Sequence, residues 1–140
     1  MELSDLLAQS RSKRLSISIS DWIGQNSRLV EELMTWCYDE SSDYKEMACW
    51  VMADILDRKP YLLKPHLETI LNACKKEGYS DTVYRNSFRV LARIYVPLEL
   101  EERLIDVAFT YFENKKNAIA IRMFCTIILG EHLDLSLIHI

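Results

Sequence analysis

Residues 44–58, YKEMACWVMADILDR, decide the fold class of this chain. Their apolar side chains recur three and four positions apart, which is the spacing that gives an α-helix one buried face. The residues that carry this stripe are Met47, Ala48, Val51, Ile55 and Leu56. Asp43 is followed three residues later by Glu46, as in a capping box, so we predict that a helix begins here and extends over about 44–58.

A second amphipathic segment lies just before the first. Its apolar stripe consists of Leu29, Leu33, Trp36 and Cys37, and Ser27 is the predicted N-cap of a helix over about 27–39. Only a short connection around Ser41 separates the two helices. Because short connections force neighbouring helices to be antiparallel, we predict an αα-hairpin over residues 27–58.

The same arrangement recurs twice, over residues 65–96 and 99–131. Pro65 suits the first turn of a helix that ends at Gly78, and Pro97 ends the following helix. The apolar face of that following helix is predicted to consist of Tyr84, Phe88, Leu91 and Tyr95. These signals predict two further hairpins, with no strand between them.

The second helices of the three hairpins align with one another. Val51 matches Val90 and then Phe124, at offsets of 39 and 34 residues. A period of about 37 residues built from paired helices is typical of stacked helical repeats. We therefore predict an all-α fold, a right-handed α-α superhelix (solenoid) of about three hairpins. An N-terminal segment is predicted to cap one end through apolar residues that include Leu3, Leu6, Leu7, Ile17, Ile19, Trp22 and Ile23.

Three stretches resemble the short HEAT-like, armadillo-type helical-repeat proteins of bacteria: ACWV at 48–51, PYLLKPHL at 60–67 and AIAIRMF at 118–124. The resemblance covers about residues 20–133. It implies a scaffold or adaptor whose inner helices present a concave surface to a partner, usually another protein. Because repeat folds host many functions, it specifies the fold far more closely than the activity.

The composition excludes several classes of function. The net charge of -4 disfavours a dedicated nucleic-acid binder, and three glycines leave no Gly-rich phosphate loop. The four cysteines, Cys37, Cys49, Cys74 and Cys125, form no Cys-x-x-Cys pair, so we expect buried thiols in a reducing compartment. His66 and His132 read as surface or capping histidines. We expect a cytoplasmic protein without catalytic residues, cofactor, metal or membrane association.

A ladder of arginines marks the candidate binding surface. Arg85, Arg89 and Arg93 recur at every fourth position of a predicted inner helix, beside its apolar face. Guanidinium groups bind carboxylates and phosphates through paired hydrogen bonds, so the leading hypothesis is a protein partner or acidic peptide segment. The alternative is a solvated flank whose arginines pair with acidic residues of an adjacent repeat.

Trp50 and Asp54 share one face of another inner helix. DNA alkylation-repair glycosylases of HEAT-like fold use aromatic and carboxylate groups in a concave groove, which makes this pair the best enzymatic candidate. The acidic total charge opposes it, because a groove that flips a base needs strong positive potential. A nucleic-acid-binding or alkylation-repair-like protein is therefore the second hypothesis, and a purely structural domain of a longer polypeptide is the third.

The last six residues, LSLIHI at 135–140, are the literal translation of CTGTCTCTTATACACATC, an adapter used in transposase-based sequencing libraries. We hypothesise that they are adapter read-through and that the natural chain continues differently after Asp134. The natural domain, on this interpretation, is a single HEAT-like domain over 1–134 that is truncated at its C-terminus.

Overall fold

The computed structural model describes residues 2–9 and 12–134, which form eight α-helices, one 3-10 helix and no strand. The helices are α1 (Leu3–Leu7), α2 (Lys13–Ile23), α3 (Ser27–Cys37), α4 (Lys45–Arg58), the 3-10 helix (Pro60–His66), α5 (Leu67–Cys74), α6 (Asp81–Arg93), α7 (Leu98–Glu113) and α8 (Ile119–Glu131). The all-α prediction is thereby confirmed for these residues. The adapter hypothesis concerns residues 135–140, which lie outside the described residues.

The helices pack in two connected series. In one series α2 packs against α4, α4 against α6, and α6 against α8. In the other, α1 contacts α3, the 3-10 helix contacts α3 and α5, and α5 contacts α7. The pairs α3–α4, α5–α6 and α7–α8 join the two series, at the positions of the three predicted hairpins.

The helix N-termini differ from the predicted caps. Asn26, not Ser27, caps α3, because its Oδ1 accepts hydrogen bonds from the N–H groups of Arg28 and Leu29 at 3.0 and 3.3 Å. The predicted capping box of Asp43 and Glu46 is wrong, since α4 begins without a side-chain cap. Instead, the Ser42 Oγ accepts a hydrogen bond from the Tyr44 N–H at 2.9 Å. The side chain that stabilises the turn before α4 is thus Ser42, one residue before the predicted Asp43.

Helix α6 ends three residues before the predicted end at residue 96. Ile94 adopts an extended conformation with φ -103° and ψ 124°, and Pro97 becomes the N-cap of α7. Four residues therefore link the helices, and Tyr95 leaves the apolar face on which it was predicted. Its side chain is 61% exposed, and its ring lies 4.8 Å from that of His132.

The core follows the predicted apolar faces. Val51, Leu71, Leu91, Leu104 and Phe124, which lie on five different helices, are all buried. The four cysteines are also buried, and none of them forms a disulfide. Burial raises the pKa of the Cys125 thiol to about 12, and it raises the pKa of Cys74 well above its usual value. These thiols therefore stay protonated and pack as small apolar side chains, as expected.

Of the two predicted positions for His132, surface or capping, the second is correct, because His132 is the C-cap residue of α8 and is not on the surface. Its side chain is buried, and its Nδ1 lies 2.6 Å from Oε1 of Glu101 in the first turn of α7. Because His132 follows directly after α8, this contact joins the end of α8 to the beginning of α7. This contact could not be predicted from the sequence pattern, because the two residues are 31 positions apart.

Helix α8 carries an apolar stripe that the described residues leave exposed. Ile119, Met123 and Ile127 recur at every fourth position, and Ile119 is 84% exposed. We expect the chain to self-associate through this stripe, because contiguous exposed apolar surface is unfavourable in water. Met123→Glu should weaken self-association at least about tenfold in sedimentation velocity measured over a concentration series.

The matched control is Leu98→Glu, which introduces the same charge at an exposed leucine of α7 outside the stripe. A parent chain that stays monomeric at every concentration would show that the stripe drives no association. Equal effects of Met123→Glu and Leu98→Glu would assign the change to net charge rather than to the stripe.

Candidate functional site

A pocket of about 420 Å³ opens between α2, α4 and α6, and we call it the α2–α4–α6 groove. It is lined by Lys13, Ser16, Trp50, Ala53, Asp54, Asp57, Thr82, Arg85, Asn86 and Arg89. The groove thus brings together Trp50, Asp54, Arg85 and Arg89, which are four of the five residues singled out from the sequence. The fifth, Arg93, lies one helical turn further along α6 and reaches the rim of the groove through Asp57.

The rotation of α6 decides which side chains face the groove. The opposite side of the helix is buried and includes Val83, Ser87 and Leu91. The Ser87 hydroxyl donates to the Val83 carbonyl at 2.7 Å, and its Oγ lies 2.7 Å from the Tyr38 hydroxyl at the end of α3. Burial raises the pKa of Tyr38, so its hydroxyl keeps the proton that it donates to Ser87. This buried contact orients α6 with the arginines toward the groove.

Asp54 is held by a guanidinium group from its own helix. Arg58 donates to Oδ2 of Asp54 from Nε at 2.9 Å and from Nη2 at 2.5 Å, and its Nη1 lies 2.7 Å from Oδ1 of Asp21. These hydrogen bonds raise the pKa of Arg58, and the contribution of Asp54 is larger than that of Asp21. The Asp54 carboxylate therefore has a permanently charged hydrogen-bond partner.

The Asp57 carboxylate at the rim of the groove also has a partner. Arg93 of α6 forms an ion pair with it through Nη1, and the pair links α6 to α4. Both side chains are more than half exposed, so the pair contributes only about 0–1 kcal/mol to stability. Arg93 therefore fits the alternative interpretation of the arginine ladder, in which an arginine pairs with an acidic residue of the neighbouring hairpin. Arg85 and Arg89 do not.

Arg85 and Arg89 differ from Arg93 in having no acidic partner among the described residues. The Arg89 guanidinium lies over the ring of Phe124, with Cζ 5.6 Å from the ring centroid, a favourable cation–π contact. Its Nε is enclosed and has no hydrogen-bond partner within residues 2–9 and 12–134. Arg85 lies one turn earlier and is exposed. Two guanidinium groups are thus available along one wall of the groove.

Several side chains that line this groove were not predicted from the sequence. Lys13 comes from α2 and has no ion pair in the described part of the chain. The side chains of Ser16 and Asn86 form hydrogen bonds within their own helices. The Ser16 hydroxyl donates to the Lys13 carbonyl at 2.7 Å, and the Asn86 amide donates to the Thr82 carbonyl at 2.8 Å. No spacing rule pointed to Lys13 and Ser16, since they reach the groove only because α2 packs on α4.

Charge distinguishes the groove from the larger pocket of about 510 Å³ between α5 and α7. That pocket is lined by Lys75 and Lys76 together with Glu77 and Asp106, so acidic and basic side chains balance there. In the α2–α4–α6 groove both carboxylates have arginine partners, although Asp54 shares Arg58 with Asp21, and Lys13, Arg85 and Arg89 have no acidic partner among the described residues. The groove is therefore locally cationic in a chain whose net charge is -4.

Comparison with known proteins gives no relative. No protein-family model, curated protein or solved structure matches this chain. Among the described residues, no helix combines the length and apolarity needed to cross a membrane, and no three His, Cys, Asp or Glu side chains are grouped to hold a metal ion.

Proposed function

We propose that this chain is a non-enzymatic, HEAT-like scaffold or adaptor that binds an acidic segment of another protein in the α2–α4–α6 groove. The observation that carries the proposal is the pair Arg85 and Arg89. Both line the groove beside Trp50, and neither has an acidic partner among the described residues. Guanidinium groups of this kind bind carboxylates through paired hydrogen bonds, and Trp50 adds apolar contact area.

The packing of the helices supports the same proposal. The series α2, α4, α6 and α8, joined pair by pair to the second series, is the contact pattern expected of stacked helical hairpins. In a superhelix of such hairpins the second helices line the concave surface. On this interpretation the groove belongs to the concave surface, which is where solenoids of this type bind their partners.

A second candidate function is nucleic-acid binding, with an alkylation-repair-like activity as its enzymatic form. It is favoured by an exposed Trp50 next to Arg85 and Arg89, because aromatic and guanidinium groups together bind unstacked bases. The partner of Asp54 argues against the enzymatic form, since Arg58 already occupies Oδ2 of that carboxylate. Duplex binding also recruits a wider cationic surface than three side chains.

Direct binding measurements on the parent chain separate the two candidates. Fluorescence anisotropy would compare a labelled library of Asp- and Glu-rich peptides, a neutral library of equal length, and a labelled DNA duplex. Each would be titrated at about 50 and 200 mM salt, because phosphate contacts make DNA affinity fall steeply over that range. We expect the acidic library to bind at least about tenfold more tightly than the neutral one, and more tightly than the duplex.

Two results would overturn the proposal. Equal affinity for the acidic and neutral libraries would mean that the uncompensated arginines do not favour acidic peptides over neutral ones. Tight duplex binding that falls steeply with salt would instead favour the nucleic-acid function.

A further inference from the structure

The α2–α4–α6 groove has more uncompensated positive charge than one carboxylate requires. Lys13, Arg85 and Arg89 approach it from two helices, and none of the three has an acidic partner in the described residues. A carboxylate carries one negative charge and is satisfied by a single guanidinium fork. The groove therefore suits an anion with a larger charge and more acceptor oxygens.

Arg89 is held in place before any ligand arrives. Its guanidinium packs over Phe124 while its Nε is enclosed without a partner, so only the terminal Nη1 and Nη2 groups remain open. An anion can therefore bind Arg89 end-on, through the two Nη groups. Because packing already restricts the side chain, less conformational entropy is lost when the hydrogen bonds form.

Two ion pairs keep the acidic residues of the groove from repelling an anion. Asp54 is paired with Arg58, and Asp57 is paired with Arg93. Arg58, which Asp54 shares with Asp21, and Arg93 thus act as positioning residues that offset the charge of these carboxylates, while Arg85 and Arg89 remain available for the ligand. This division of roles separates Arg93 from the other two arginines of the ladder.

We propose, resting on the function proposed above, that the acidic segment is anchored in this groove by the phosphate of a phosphorylated serine or threonine side chain. A phosphate monoester carries nearly two negative charges near neutral pH and three strong acceptor oxygens. Arg85 and Arg89 supply the paired donors that such a group prefers, and Lys13 supplies a compact point charge. The volume of about 420 Å³ lies within the range of about 300–1,000 Å³ that is typical of ligand sites.

Three peptide libraries test this assignment on the parent chain. They share the same degenerate acidic flanks and differ only in a central phosphoserine, glutamate or serine. We expect the phosphoserine library to bind at least about tenfold more tightly than the glutamate library. That advantage should shrink as the pH falls from about 7.5 to 5, because the phosphate then loses its second charge with a pKa of about 6.

Variants assign the effect to the groove. Arg89→Gln and, independently, the exposed Arg85→Gln should each remove most of the phosphoserine advantage, so the test survives if one variant folds poorly. Arg103→Gln is the matched control, because Arg103 pairs with Glu68 away from the groove and should leave the advantage unchanged. An advantage that persists in both groove variants would contradict the proposal.

The outcomes also separate this inference from the function on which it rests. Equal binding of the phosphoserine and glutamate libraries overturns the phosphate anchor and leaves the acidic-segment scaffold standing. If no library binds, both fall. If inorganic phosphate alone binds as tightly as the phosphoserine library, the peptide contributes nothing and the proposed source of the phosphate is wrong.

Discussion

Replacing Leu91 with alanine should lower the free energy of unfolding by about 2 to 5 kcal/mol. Leu91 is 1% exposed on the buried side of α6, the helix whose other side carries Arg85 and Arg89. The loss combines the transfer free energy of the deleted methyl and methylene groups with the cavity that they leave. Urea unfolding followed by circular dichroism, with linear extrapolation to water, would measure it.

Leu98→Ala is the matched control for Leu91→Ala. Leu98 is 81% exposed at the first position of α7, so the same chemical change should alter stability by no more than about 0.5 kcal/mol. A near-neutral Leu91→Ala would mean that the buried and groove-facing sides of α6 are assigned the wrong way round. The arginines would then not line a groove, and the functional proposal would lose its geometric basis.

The sequence predicted the helices well because their apolar spacing is a local property. Val51 and Leu91 fall on buried faces that three- and four-residue spacing identifies without knowledge of the neighbours. Helix ends were predicted less well, because they depend on turns. Ile94 leaves the helix so that the chain can reach Pro97 and α7, and this displaced Tyr95 from its predicted face.

The candidate site was predictable only in part. The spacing of Arg85, Arg89 and Arg93 placed them on one side of α6, since residues four apart share a helix face. Their different partners were not predictable, because Asp57 and Phe124 belong to other helices. The position of Lys13 was not predictable either, because Lys13 reaches the groove only through the packing of α2 against α4.

The central claim is that Arg85 and Arg89 of α6 bind the ligand while Arg93 neutralises Asp57 at the rim of the groove, and charge reversal of all three tests it most directly. The variant carries Arg85→Glu, Arg89→Glu and Arg93→Glu, and the ligand is the acidic peptide library, with phosphoserine in the central position. Like charges brought together across an interface cost several kcal/mol, so affinity should fall by at least about 100-fold. Circular dichroism would verify that the variant stays folded.

The control reverses three exposed lysines outside the groove, Lys64→Glu, Lys115→Glu and Lys116→Glu, and changes the net charge by the same amount. Salt screens distant charges, so this variant should lose less than about tenfold in affinity at physiological ionic strength. The decisive measurement is the affinity of the parent chain and of these two variants for the library, side by side. We predict a large loss in the arginine variant alone. Equal affinities in the parent and the arginine variant, or equal losses in the two variants, would contradict the claim that the groove is the binding surface.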